Sequence, residues 1–202
     1  MSVLSVHASA THSFSKPRMP SITLLPNLGV RGDAHAGATV QHRSRLHISP
    51  PPPNLRQVHL MHVEILDDAA GDAAGDAGSG GGSGGGKLQP GDLGENITTR
   101  GIDLLSLGKG TRLRFVGGGE GEEEGREGDG AEVVVTGLRN PCPQINRFRS
   151  GLVEKFVVRG PDGRIVARKA GVMGIVERGG VVRPGMRILV ERPPVHEALE
   201  CV

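Results

Sequence analysis

Apolar residues in this chain come in short runs broken by glycine, proline and polar turns. Val3, Leu4 and Val6 mark a first strand over Val3–Ala8, and Ile22–Leu25 a second. Thr111–Val116 (TRLRFV) and Glu132–Thr136 (EVVVT) read as two further strands, and Ile102–Leu107 as another. Towards the end come Leu152–Val158, Ile165–Lys169, Val172–Glu177 and Arg187–Val190, punctuated by GPDG at Gly160–Gly163 and by Gly179–Gly180. Gln57–Leu66 (QVHLMHVEIL) fits a strand leading into a short helix, and periodicity alone does not separate the two. Residues 50–53 are four consecutive prolines, which no helix or central strand can contain. Short strands between glycine turns, with little sustained helical period, predict a mainly β fold of the barrel or curled-sheet kind.

Two tracts break the pattern. Residues 67–86 (DDAAGDAAGDAGSGGGSGGG) and 117–130 (GGGEGEEEGREGDG) are low-complexity, acidic and glycine-rich. Such composition buries too little apolar surface to offset its ordering entropy, so both are expected to be disordered loop insertions. The second lies between two strands and reads as the enlarged tip of a hairpin, which loop-closure entropy tolerates. The expected organisation is therefore one domain over residues 1–202 with two inserted loops.

Composition sharpens this. There is no Trp or Tyr and only four Phe, so the core must rest on Val, Leu and Ile, which suit strands. The formal net charge is only +2, but outside the two acidic tracts 23 bases face 12 acids. A basic body attracts nucleic acid, headgroups or small anions. Single-stranded bases stack on aromatic side chains, which are scarce here, so a small phosphate-bearing ligand is favoured over nucleic acid. Two cysteines, Cys142 and Cys201, point to a reducing compartment. No apolar run approaches the ~18 residues of a membrane span. The acid-free first 32 residues faintly resemble a mitochondrial leader, but Pro17, Pro20 and Pro26 interrupt them, and a cytoplasmic location is the preferred expectation.

Three segments could carry chemistry. Cys142 lies in Arg139-Asn140-Pro141-Cys142-Pro143-Gln144, directly after a strand. The flanking prolines stiffen the segment and remove two backbone donors. Arg139, Arg147 and Arg149 would favour the thiolate. A buried structural thiol is the competing reading. GVRGDAHAG at Gly29–Gly37 sets Asp33 and His35 among glycines, either to orient a ligand or as a turn in which Asp caps its own backbone. GDLGENITT at Gly91–Thr99 offers Glu95 and Asn96 on a second glycine-rich loop. Neither loop matches a P-loop or a dinucleotide fingerprint. Of eight histidines, His59 and His62 would point to opposite faces of a strand, and no zinc-ligand spacing is present.

In their order, GVRGDAHAG, GDLGENITTRGIDLLSLGKGTRLRF, VTGLRNPCPQI and RKAGVMGIVERGGVVRPGMRI resemble the MOSC family, named for the C-terminal domain of molybdenum-cofactor sulfurases. Val3–Lys16 is similar to that family's first strand and following loop. The resemblance implies a single MOSC-type β-barrel with a few short helices, of the small stand-alone kind. It implies that the protein binds the molybdenum cofactor (molybdopterin), with Cys142 as catalytic residue and metal ligand. Asp33, His35, Gly37, Glu95, Asn96, Arg139 and Asn140 are then the expected cofactor-binding residues. A molybdenum-dependent reductase of N-hydroxylated compounds is one implied activity. A sulfur carrier or sulfurtransferase with a Cys142 persulfide is the alternative, and a nucleic-acid-binding module is a third. The expected partners are the anionic cofactor, an electron-donor protein or a separate desulfurase, the only place where pyridoxal phosphate would enter.

Overall fold

The computed structural model describes residues 1–42, 47–71, 87–117 and 130–202. Its centre is a closed barrel of seven strands. In chain order these are β1 (Ser2–His7), β5 (Val58–His62), β6 (Ile97–Arg100), β7 (Arg112–Val116), β8 (Ala131–Leu138), β11 (Val172–Arg178) and β13 (Arg187–Glu191). Round the ring the order is β13-β7-β8-β11-β5-β6-β1, and β1 pairs back to β13 at Ser2 and Arg187. All neighbours run antiparallel except β5 and β6, which are parallel and therefore need a crossover. That crossover starts with α1 (Val63–Gly71).

Strand periodicity explains the barrel. In β7, Leu113 and Phe115 point inward while Arg112 and Arg114 stay partly exposed. Phe115, fully buried, faces the small Ala131 across the β7–β8 pair, so large and small side chains alternate in the interior. Outside the wall, Glu132 accepts from Arg112 (2.7 Å) and Arg114 (3.3 Å) and ties the pair across its outer face.

Smaller elements complete the fold. β2 (Arg18–Met19) pairs with the end of β1. β3 (Ile22–Leu25), β4 (Gly29–Val30) and β12 (Gly180–Val182) form a three-stranded sheet, and β9 (Val157–Arg159) and β10 (Ile165–Arg168) a hairpin closed by the GPDG turn. A second hydrophobic cluster, with Met61, Leu66, Leu93, Ile145 and Phe156 among its members, lies under α1 and α2 (Gln144–Phe148).

One expected strand is absent and another is shortened to its end. Leu104–Ser106, within the expected strand Ile102–Leu107, is a 3-10 turn, because Asp103 caps it by accepting from the Leu105 amide at 3.0 Å. Of the expected strand Leu152–Val158, Leu152–Phe156 is also 3-10, entered through Gly151 at φ 74° and burying Leu152 and Phe156 on one side, while Val157 and Val158 are strand, in β9. The strand preceding Ile102 instead occupies Ile97–Arg100, overlapping the end of the expected loop Gly91–Thr99. The first residues of the 67–86 tract continue α1: Ala69 is buried, and Asp67 pairs with Lys87 at 2.7 Å. Residues 72–86 and 118–129 lie outside the described residues. Among those described, no helix is long and apolar enough to cross a membrane.

Candidate functional site

The two glycine loops and the proline–cysteine segment meet at one end of the barrel. Asp33 is the centre of their polar contacts. Its Oδ2 accepts from Lys16 Nζ (2.8 Å), Asn96 Nδ2 (3.1 Å) and the Ser9 amide (3.2 Å). Its Oδ1 accepts from the amide and from Nδ1 of His35, at 3.0 and 3.1 Å. The turn reading and the orienting reading are both realised: Asp33 caps its own loop and holds His35. Burial pushes the Asp33 carboxyl up, but His35 and the Lys16 ammonium outweigh it and hold it well below its ordinary 3.8. For Lys16, burial outweighs the pull of Asp33, and its pKa falls.

Asn96 joins this loop to the barrel wall. Its Oδ1 accepts from the His59 amide (3.2 Å), and its Nδ2 also donates to the His7 carbonyl (3.2 Å). Glu95 lies deeper, fully buried, accepting from the Gly91 amide (2.6 Å) and Thr98 Oγ1 (2.9 Å). Close approach of the GEN loop to the segment bearing Lys16 depends on Gly94, at φ 77°, where a Cβ would stand 2.4 Å from the Phe14 carbonyl oxygen.

His59 and Arg139 form the other wall. Gly171, at φ 88°, lies so near β5 that a Cβ would come within 2.3 Å of the Leu60 carbonyl oxygen. This approach lets the Ala170 carbonyl accept from His59 Nε2 at 2.8 Å and the Gly171 carbonyl accept from the Arg139 amide at 3.0 Å. Burial, reinforced by Arg139 and Lys16, lowers the His59 pKa well below 6.5 and keeps the ring neutral. Arg139 has its Nη1 buried with no hydrogen-bond partner among the described residues. Burial lowers its pKa, opposed by Cys142 and Glu95.

These groups enclose a cavity of about 60 Å³, lined among others by Lys16, His35, Arg56, His59, Asn96 and Arg139. Cys142 borders it rather than lining it. Its thiol is partly exposed, 3.7 Å from Oε1 of Gln144, and Gln144 does reach the cavity. Phe148 of α2 packs on Phe14 at 5.4 Å between ring centres, fixing the cysteine segment against the loop after β1.

Of the residues singled out from the sequence, Asp33, His35, Asn96 and Arg139 gather here, and Glu95 supports them from behind. Gly37 is a backbone brace, its carbonyl accepting from Asn54 Nδ2 at 2.9 Å. Asn140 is exposed and accepts from Arg168 at 3.1 Å, outside the cavity lining. Sequence reading did not single out Lys16, Arg56 or Gln144 as site residues, and it considered His59 only as a metal ligand. Among the described residues no group of three or more His, Cys, Asp or Glu could hold a metal ion.

The MOSC domain family matches residues 26–189. The chain belongs to that family. Members of the MOSC family are associated with molybdenum-cofactor binding. Among solved structures, the chain is similar to the YuaD protein of Bacillus subtilis, with 23% identity, TM-score 0.68, and 95% of this chain and 96% of that one covered. It is similar to YiiM of Escherichia coli at 16% identity and TM-score 0.56, covering 98% and 73% of the two chains. YiiM of Geobacillus stearothermophilus gives 13% identity and TM-score 0.56, covering 98% and 78%. At these identities the likeness shows the shared MOSC fold. No curated protein matches the chain.

Proposed function

We propose that this MOSC protein binds the molybdenum cofactor at the Lys16–Arg139 cavity, with Cys142 at its rim as the metal ligand. The observation that carries this reading is Nη1 of Arg139: a buried donor on a residue that lines the cavity, without a hydrogen-bond partner among the described residues. A buried unpaired donor costs free energy that an anionic ligand recovers through a charge-assisted hydrogen bond. The donor set fits the group: guanidinium and ammonium for phosphate, and a soft thiolate for a redox metal. A cavity of about 60 Å³ holds an anionic head but not a whole pterin, which must extend over the open rim beside Cys142 and Gln144.

Arg139 would hold the anionic end. Asp33 positions Lys16 and His35. Neutral His59 keeps the Arg139 wall in place through its bond to Ala170 and adds no charge there. Phe14 and Phe148 shield one rim from water. When bound, molybdenum would supply two-electron redox chemistry that these side chains lack.

A second reading, a sulfur carrier with a Cys142 persulfide, is favoured by the thiol's partial exposure at the rim, where a desulfurase could reach it. Molybdenum, pterin and persulfide content of protein made in a cofactor-competent host separates the two. The cofactor reading expects stoichiometric pterin, reduced about tenfold or more by Arg139→Ala, as removal of a charge-assisted partner implies. Persulfide on Cys142 without pterin would replace it with the carrier reading. Binding of single-stranded oligonucleotides with a steep salt slope, and of neither pterin nor sulfur, would revive the nucleic-acid alternative.

A further inference from the structure

A larger cavity lies away from Cys142, against β1, β2, the end of β6 and α1. Its volume is about 450 Å³, within the roughly 300–1,000 Å³ typical of small-molecule sites. It shares no lining residue with the Lys16–Arg139 cavity. Leu4, Val63 and Leu88 give it an apolar wall, and the last two are buried. Three cations line it, Arg18, Lys87 and Arg100, against one acid, Asp67. Lys87 and Asp67 neutralise each other at 2.7 Å. Arg18 and Arg100 make no side-chain hydrogen bond or ion pair among the described residues, so the excess charge is theirs. Strand pairing fixes their places: Arg18 lies opposite His7 and Arg100 opposite Ser2, towards the two ends of β1, with Leu4 and Ser5 between.

We infer that this cavity is a second binding site, for an elongated organic anion whose apolar body lies on Leu4, Val63 and Leu88 and whose carboxylate or phosphate group is held by Arg18 or Arg100. Guanidinium forks suit both anions, and the apolar wall excludes a bare inorganic ion as the preferred ligand. The site is independent of the cofactor reading, since none of its groups touches the Cys142 rim.

The probe is anilinonaphthalene sulfonate, an anion with an apolar body that fluoresces strongly when it leaves water for an apolar site. Full-length folded protein should bind it saturably at one equivalent. The Arg18→Ala/Arg100→Ala protein should bind it about tenfold more weakly or worse, the scale of losing charge-assisted hydrogen bonds. Arg139→Ala should bind it like the wild type. Circular dichroism melting checks that the double variant folds; if it does not, Arg18→Gln and Arg100→Gln singly serve instead, and at least one must weaken binding. Displacement by octanoate identifies a carboxylate site, and displacement by octyl phosphate a phosphate site. Three results overturn the inference: no saturable binding, wild-type affinity in the folded arginine variants, or displacement by neutral octanol as effective as by either anion.

Discussion

Residue by residue, the functional reading turns on Cys142 and on the charge around Asp33. Cys142→Ser should leave the fold intact, at a cost within the about 1–2 kcal/mol usual for point mutants, because the side chain sits at a rim and Ser nearly matches its size. Cofactor retention or sulfur acceptance should nonetheless be lost, since a serine hydroxyl neither ionises near neutral pH nor forms a persulfide; metal, pterin and persulfide analysis reads this directly. Cys201→Ser should change neither. The residue is exposed, but its segment does not fray, as a place so near the C-terminus would suggest: the Leu138 amide donates to the Glu200 carbonyl at 2.7 Å and Cys201 bridges to Leu138. Asp33→Asn tests a different dependence. It leaves Lys16 buried without its counter-charge, a change that costs about 3–5 kcal/mol where a buried pair is broken from one side. Denaturant midpoints should fall accordingly, and a wild-type midpoint would mean that Lys16 sheds its proton or reaches water. Cys142, Arg139 and Asp33 were legible in the sequence because prolines or glycines frame them. Lys16 and His59 were not, because their roles arise only when β1's following loop, β5 and the Ala170–Gly171 turn come together.

Among the elements, local pattern was reliable where burial alternates along one strand and misleading where a short apolar run wraps around a turn. The β7–β8 pair follows from Leu113, Phe115, Val133 and Val135 alternating inward. Leu152–Phe156 has the same composition as a strand, yet Leu152 and Phe156 are four residues apart and both bury, a helical spacing that five residues are too few to announce. The boundary of α1 shows the same limit. Asp67 and Asp68 look like the start of a low-complexity tract, but the helix continues through them because Leu66 and Ala69 bury in the second cluster. This fixes where the chain can be shortened. Replacing residues 72–86 with a short Gly/Ser connection should leave the melting temperature nearly unchanged. Cutting from residue 67 should lower it by roughly 2–8 °C, because the loss of Ala69 packing and the Asp67–Lys87 pair, about 1–2 kcal/mol, shifts a domain of this size by about 2–4 °C per kcal/mol. Equal melting of the two deletions would show that the last turns of α1 contribute nothing.

At the scale of the whole molecule, burial of histidine makes stability depend on pH in a range where few other groups titrate. His7, His59 and His62 all have pKa values lowered below 6.5, in each case first by burial. All three sit on barrel strands, His7 on β1 and the other two on β5, so protonating them opposes the barrel itself. The unfolded chain takes up protons as pH falls through about 6.5, while the folded protein resists doing so. Stability contributed by the neutral rings is therefore complete above that pH and is lost progressively below it. Asp33 works in the same direction but lower: its depressed carboxyl contributes fully above its ordinary 3.8, and that contribution disappears as pH falls further. Acid unfolding should thus show two regions, a decline from about pH 6.5 downward and a steeper one below about pH 4. His59→Gln should reduce the slope of the first, leaving the part due to His7 and His62, and leave the second, because an amide can still donate towards Ala170 and does not titrate. Asp33→Asn should flatten the second and leave the first. Denaturant unfolding followed by circular dichroism at intervals from pH 8 to pH 3 would distinguish them. An unchanged pH slope between 7 and 5 in His59→Gln would mean that His7 or His62 carries the effect; the same slope in all three single variants would place the proton uptake outside the barrel histidines altogether.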